Sequence, residues 1–219
     1  MKITQIQSGR YRKNYASVFI DGEYAFRLHK DLLFDLKINE GKNLTESELL
    51  TIKNEGERKE AIEYAYLFLT YRPRSEKEIK DRLRRKGYST ETIQITIETL
   101  KTKNFINDHE FAKIFTEPKL KGKGLWGDLR IEQELILKGV EKSTIKEIIH
   151  QLKEETKDPL PSEDERAYQA LVKKASQNKN TDSHTLQRRL YDYLMRRGFS
   201  YDSIEQALKR YKNQKDKNR

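Results

Sequence analysis

Three glycines, Gly87, Gly139 and Gly198, recur in one apolar frame, and that frame restricts the fold more tightly than any single motif in the chain. Leu83, Leu135 and Leu194 stand four residues before them, and Ile79, Ile131 and Leu190 stand eight before. Tyr88, Val140 or Phe199 follows at once, and Ile93, Ile145 or Ile204 comes six residues after. The match continues through Ile97, Ile149 and Leu208, then Leu100, Leu152 and Tyr211. So many shared offsets describe an internal repeat of roughly fifty to sixty residues.

Apolar residues four apart before each glycine, and three or four apart after it, describe two amphipathic helices joined by a left-handed glycine. A further apolar stretch precedes each pair: Ala61, Ile62, Ala65 and Leu69; Phe111, Ala112, Ile114 and Phe115; Ala167, Ala170 and Leu171. Three helices per unit and three units per chain follow. Boundary chemistry agrees. Ser75 with Glu78, and Ser162 with Glu165, have capping-box spacing, in which the hydroxyl accepts from a free backbone amide and the carboxylate reaches back. Asp108 is placed to cap the helix carrying Phe111, and Ser89 the one carrying Ile93. A helical pattern starting near Thr45 must stop before Pro73, and Pro159 and Pro161 separate the second unit from the third.

The first forty-odd residues follow a period of two. Ile3 and Ile6, then Val18 and Ile20, then Tyr24, Phe26 and Leu28 read as short strands, with Asp21-Gly22 as a tight hairpin turn. His29 to Leu36 adds a turn or two of helix. So small a sheet is marginal alone and needs the long helix after Thr45, or a partner, to cover it. The fold class is mainly α: tandem three-helix repeats forming an elongated body, with a small N-terminal β-rich module. The boundaries are 1–44 for the β-rich module, 45–107 for the first repeat with its lead-in helix, 108–158 and 162–211 for the second and third repeats, and 212–219 for a frayed basic tail.

With 35% hydrophobic and 37% charged residues, the chain is poor in material for one large core but adequate for stacked units that touch only their neighbours. No stretch approaches about twenty consecutive apolar residues and no charged-then-apolar leader opens the chain, so membrane spanning and secretion are not expected. The absence of cysteine excludes disulfides and fits a cytoplasmic protein.

The net charge of +10 is unevenly spread. Residues 58–107 hold twelve basic against seven acidic side chains and residues 162–219 fourteen against eight, whereas residues 1–57 balance at nine each. The first cluster runs through Arg72, Arg74, Lys77, Lys80, Arg82, Arg84, Arg85 and Lys86, and the third through Arg188, Arg189, Arg196 and Arg197; both centre on the middle helix of a unit. The second unit places Lys119, Lys121 and Lys123 in a glycine-rich loop, followed by Trp126 and Arg130. Such stripes favour an anionic partner through long-range attraction and counterion release, although lysine and arginine also serve simply to solvate a helix face. A lone tryptophan such as Trp126 more often anchors a core than stacks on a base.

Other chemistries fit poorly. As a helix-turn-helix reader the chain would send the third helix of each unit into the major groove, yet that helix shows Glu91, Thr92, Gln94, Thr96 and Glu98 and few arginines. His29, His109, His150 and His184 lack metal-ligand spacing and read as surface or capping residues. Lys121-Gly122-Lys123-Gly124 lacks the Gly-Lys-Ser/Thr ending of a phosphate loop. Glu163-Asp164-Glu165 opens a helix after Pro161, where negative charge suits the exposed amides. No catalytic residue, metal or cofactor is expected.

Three runs together resemble the RecX family of regulatory proteins, which modulate the RecA recombinase. They are Arg72-Pro-Arg-Ser-Glu-Lys-Glu-Ile79 with Leu83 and Lys86-Gly87; Ile106-Asn-Asp-His-Glu-Phe-Ala112 with Ile131-Glu-Gln-Glu-Leu135 and Lys138-Gly-Val140; and Arg197-Gly-Phe-Ser-Tyr-Asp-Ser-Ile204. The resemblance covers about residues 58 to 211, and the β-like start resembles an extension found in some members. It implies a non-enzymatic protein lodged in the groove of a RecA filament on DNA, damping ATP hydrolysis and strand exchange. The expected partners are the RecA filament and the phosphates of single- or double-stranded DNA, with the chain a monomer. Expected contacts are Arg72, Arg74, Arg82, Arg85 and Lys86 in the first unit; Lys119, Lys121, Lys123 and Arg130 in the second; Arg188, Arg189, Arg196 and Arg197 in the third. Gly87, Gly139 and Gly198 are structural. Asp128 stands where the family often has proline, and Pro118 interrupts a stretch that is usually helical.

Overall fold

The protein is represented by a computed structural model that describes residues 1–9, 12–122, 125–155, 160–177 and 183–217. It forms two compact units, Met1–Ile106 and Asn107–Arg219.

In the first unit the alternating amino-terminal segments pair as an antiparallel sheet in the order β1 (Ile3–Ser8), β2 (Tyr15–Ile20), β3 (Glu23–His29). Asp21 and Gly22 turn the second hairpin at φ 49° and 89°, the left-handed pair that suits the twist of the flanking strands. α1 (Lys30–Asp35) follows, capped by His29, whose Nδ1 accepts from the Asp31 amide at 3.2 Å. His29 thus caps as expected, but it is buried rather than on the surface. α2 (Glu46–Leu69) opens on a capping box between Thr45 and Glu48 and joins two cores. Its first half sends Ile52 to Ile3, Val18, Phe26 and Leu28 of the sheet; its second half sends Ala61 and Ala65 to Ile79, Leu83, Ile93, Ile97 and Leu100. Gly56 allows the close approach to the sheet, since a Cβ there would lie 2.8 Å from Leu28 Cδ1. The sheet is therefore covered by the long helix, as its small size demands.

α3 (Glu76–Lys86) and α4 (Thr90–Thr102) complete the first triplet, with the Ser75/Glu78 box and the Ser89 cap both formed. The second unit holds two more triplets: α5 (Asp108–Leu120), α6 (Asp128–Leu137) and α7 (Lys142–Glu155); α8 (Glu163–Ser176), α9 (Ser183–Arg196) and α10 (Tyr201–Lys217). Each triplet closes around its own apolar cluster.

The repeated glycine frame has one physical origin. Gly87, Gly139 and Gly198 take φ of 93°, 87° and 73°. Each donates to the carbonyl three residues back, while Tyr88, Val140 and Phe199 donate to the carbonyls of Leu83, Leu135 and Leu194 at 3.4, 3.0 and 3.3 Å. This is a Schellman closure, in which the residue after the glycine packs beside the leucine whose carbonyl it satisfies. It accounts for the paired apolar positions flanking every glycine.

Four expectations are corrected. Asn107, not Asp108, caps α5, because its carboxamide oxygen reaches the amides of His109 and Glu110. Pro118 does not end α5; it falls in the last turn, where its missing N–H costs a single bond, and Lys119 is consequently helical rather than in a loop. Residues from Lys212 continue α10 through Lys217 instead of fraying. Ser162 accepts from the Glu165 amide, but the Glu165 carboxylate goes to Arg210 at 2.6 Å rather than back to the cap. Pro159 lies outside the described residues.

The second and third repeats meet through backbone. The Gly127 amide donates to the Arg197 carbonyl at 2.9 Å, and a Cβ on Gly127 would come 2.0 Å from the Gly198 oxygen. Glu163 seals the same joint: it accepts from the Asp128 amide at 2.9 Å and the Ser200 hydroxyl at 2.7 Å, so one carboxylate serves the amino termini of α6, α8 and α10. Beneath it lies Arg166, wholly buried, donating to Asp128, to the Pro161 carbonyl at 2.9 Å and to the Trp126 carbonyl at 3.3 Å. Asp128 thus supplies the second repeat's charge partner for Arg166 of the third.

Candidate nucleic-acid interface

The expected cationic residues divide by what their side chains touch. On α3, Arg82, Arg85 and Lys86 are exposed. Arg82 lies 5.6 Å from the Tyr64 ring centroid and 5.3 Å from Phe68, and Lys86 lies 5.7 Å from Tyr64, so aromatic rings of α2 hold both cations on the surface. Arg85 donates Nε to the Asp81 carbonyl at 3.2 Å. Arg82 and Lys86 form no ion pair among the described residues. Arg74 stacks on Phe68 at 4.0 Å with its Nε buried and unpartnered; burial, seconded by Arg72, lowers its pKa.

Arg72 has a different role. Its guanidinium grips both oxygens of Glu78, at 2.9 and 3.2 Å, and Glu78 is the carboxylate that caps α3. Its charge is already matched, and its geometry is that of a bidentate clamp on the capping box.

In the second repeat Lys119 lies 3.4 Å from the Phe115 ring centroid and donates to the Phe115 carbonyl at 2.7 Å. Burial lowers its pKa, Glu134 opposes that and Lys138 reinforces it. Lys121 pairs with Glu117 at 2.6 Å, and Lys123 lies outside the described residues. Trp126 is half-buried against the second core, with Phe115 edge-on at 6.2 Å and the Arg130 guanidinium 4.4 Å from its ring. It is a core anchor dressed with cations. Arg130 also donates to the Arg196 carbonyl at 3.3 Å, tying α6 to the end of α9.

In the third repeat Arg188, Arg189 and Arg196 are exposed on α9. Arg197 is half-buried: it donates to the Leu125 carbonyl at 3.3 Å and lies 5.0 Å from Tyr193. Lys173 and Lys174, absent from the expected set, join Arg197, Tyr193, Gln169 and Gln177 around a cleft of about 570 Å³. The signal for them was their helical spacing from Gln169 on α8 and from Gln177, its C-cap.

The structure therefore separates a surface set, Arg82, Arg85, Lys86, Arg188, Arg189 and Arg196, from a set engaged in contacts within the fold, Arg72 and Lys119 within their own repeats and Arg130 and Arg197 at the joint of the second and third. Sequence alone treated both alike. The third helix of the first triplet is unsuited to base reading, because Thr92 and Thr96 are buried and Glu91 pairs with Arg58 at 2.6 Å.

Three family models match the chain: the regulatory protein RecX N-terminal domain over residues 1–45, the RecX first three-helix domain over 61–100 and the RecX third three-helix domain over 162–208. The chain is 36% identical to a "Regulatory protein RecX" of Caldanaerobacter subterraneus subsp. tengcongensis, covering 95% of this chain and 98% of that protein. It is 30% identical to one of Clostridium beijerinckii, covering 95% of each. Among solved structures, a crystal structure of regulatory protein RecX superposes with a TM-score of 0.66 at 24% identity, over 93% of this chain and 97% of that one. A crystal structure of RecX from Lactobacillus salivarius gives 0.56 at 21% identity, over 70% and 96%.

Proposed function

The chain belongs to the RecX family of regulatory proteins, and from that premise we propose that it binds the RecA filament assembled on DNA and modulates it, chiefly by damping ATP hydrolysis and strand exchange. It acts by binding in the cytoplasm, as a monomer, without catalysis or cofactor. The observation that carries this reading is the exposed cationic set on the middle helices of the first and third triplets, Arg82, Arg85 and Lys86 on α3 and Arg188, Arg189 and Arg196 on α9. Cations on separate repeats support simultaneous weak contacts to a repeating polyanionic partner, and linked contacts of this kind raise avidity by about 10² to 10⁴.

The deciding experiment compares binding to bare single-stranded DNA with binding to RecA-coated DNA while ATP hydrolysis is followed. Tighter binding to the coated strand with a falling hydrolysis rate is expected. Equal affinity for both, with hydrolysis unaltered, would overturn the reading. The same exposed arginines support a second reading, a general DNA-binding protein acting without RecA. That reading requires affinity for bare DNA to fall by about 10³ to 10⁵ between roughly 50 and 200 mM salt, the response to neutralising about 6 to 10 phosphates.

A further inference from the structure

Where the β1–β2 connection meets α2 and the α3–α4 turn, the first unit holds a cleft of about 560 Å³ lined by Arg12, Lys13, Tyr15, Tyr64, Lys86 and Tyr88, with Glu60 and Glu63 at its side. Of these residues only Lys86 belongs to a family-like motif, and the cleft is built jointly by the β-rich module and the first repeat.

Its charge balance depends on which groups already have partners. Glu60 accepts from Arg12 at 2.8 Å and Arg27 at 3.0 Å. Glu63 accepts from the Tyr15 hydroxyl at 2.6 Å and faces His29 Nε2 at 3.3 Å. Both carboxylates are thus answered from within. Lys13 and Lys86 form no ion pair among the described residues, and the hydroxyls of Tyr64 and Tyr88 form no hydrogen bond among them. Tyr64 and Tyr88 stand with ring centroids 6.3 Å apart, inclined at 50°, a bent aromatic wall. Burial, followed by the Glu60 charge, raises the Tyr88 pKa to about 12.

A wall of two tyrosines flanked by two ammonium groups without ion pairs among the described residues, Lys86 resting beside the Tyr64 ring, is an arrangement that can receive a base on an aromatic face and its phosphates on either side. We propose that this cleft holds one unstacked nucleotide of a single-stranded nucleic acid, with the base against Tyr64 and Tyr88 and the flanking phosphates at Lys13 and Lys86. The β-rich module thereby acquires a role in binding, because it supplies Lys13, pairs Glu60 with Arg12 and Arg27, and turns one Glu63 oxygen inward to the Tyr15 hydroxyl. The proposal rests on the reading that the chain acts on nucleic acid, and it names the part of the surface that meets a base.

The test measures fluorescence anisotropy of the full-length chain with a labelled oligothymidylate and with an abasic strand of equal length, at constant ionic strength. The thymidylate strand should bind at least about fivefold more tightly, the lower bound for one base–aromatic stack. Tyr64→Leu should erase most of that difference, and Lys13→Glu, at an exposed position, should weaken both strands. A strand carrying 5-iodouracil should photocrosslink to Tyr64 or Tyr88. Equal binding of the thymidylate and abasic strands by the unmodified chain would overturn the proposal, as would unchanged affinity in Lys13→Glu. Competition by polyglutamate as effective as by oligothymidylate would overturn it in favour of an acidic protein partner. If base dependence is absent while ATP hydrolysis by RecA still falls, the cleft is disproved and the regulatory reading stands.

Discussion

Arg166, withdrawn completely from solvent, closes on the carboxylate of Asp128 across the joint between the second and third repeats. Its other donors are satisfied by the Pro161 and Trp126 carbonyls, and the second Asp128 oxygen takes Lys153 at 2.9 Å. Removing the acid strands a buried cation, which costs more than the pair itself contributes. Asp128→Asn should therefore destabilise the chain by about 3 kcal/mol, the low end for a broken buried pair because Asp128 keeps 26% of its side chain exposed. The double variant Asp128→Asn/Arg166→Met should be more stable than Asp128→Asn alone. Urea unfolding followed through the fluorescence of Trp126, the chain's single tryptophan, measures both.

The glycines separate two costs. At Gly87 a Cβ meets nothing within 4 Å, so alanine there carries only the left-handed backbone penalty, about 1 to 2 kcal/mol. At Gly198 the same penalty is joined by a collision, with the Arg130 amide nitrogen 2.5 Å from the added carbon. Gly127, at φ −76°, has no backbone penalty and suffers from contact alone. Thermal melts should rank Gly198→Ala below Gly87→Ala, with the gap at or above the overpacking cost of about 1 to 3 kcal/mol. Gly127→Ala should fall well below Gly87→Ala despite its ordinary dihedral angles.

Alkali should loosen the first unit. Burial holds the Tyr88 phenol protonated to about pH 12, against 10.0 for a free tyrosine, and Tyr15 shifts in the same direction through burial and then its bond to Glu63. The unfolded chain releases these protons first. The resulting stabilisation is complete below pH 10 and is lost as pH rises from 10 through 12. Melting temperatures taken between about pH 9 and 12 should fall across that window, and Tyr88→Phe should flatten the fall.

Sequence legibility followed local chemistry. The Schellman closures at Gly87, Gly139 and Gly198 are written in adjacent residues, as are the Ser75/Glu78 box and the Asp21-Gly22 hairpin, and each is present in the fold. What could not be read depends on residues distant in the chain. Arg166 stands four residues before Ala170 on an apolar face, a hint of burial, but its partner Asp128 lies 38 positions away. The basic clusters were visible as composition; that Arg72 spends its charge on Glu78 whereas Arg82 rides on Tyr64 and Phe68 required the side chains. Tyr88 was legible only as part of the glycine frame, and Tyr64 and Lys13 carried no signal for binding, because the cleft they line is assembled from three separate elements.

That division of the arginines gives the most direct test of the interface. Arg85 and Arg188 are exposed on the middle helices of the first and third triplets, so neutralising either should leave stability within about 0.5 kcal/mol of the parent. If each meets a phosphate, each substitution to alanine should reduce the slope of log affinity against log salt by roughly 0.7 on a single strand or 0.9 on duplex. Arg72→Ala should behave in the opposite way. It releases the carboxylate that caps α3, so stability should fall by about 1 kcal/mol while the salt slope scarcely moves. Paired salt titrations and melts of the three variants check both halves at once. A lost slope in Arg72→Ala with unchanged melting would move that residue from the capping clamp to the binding surface.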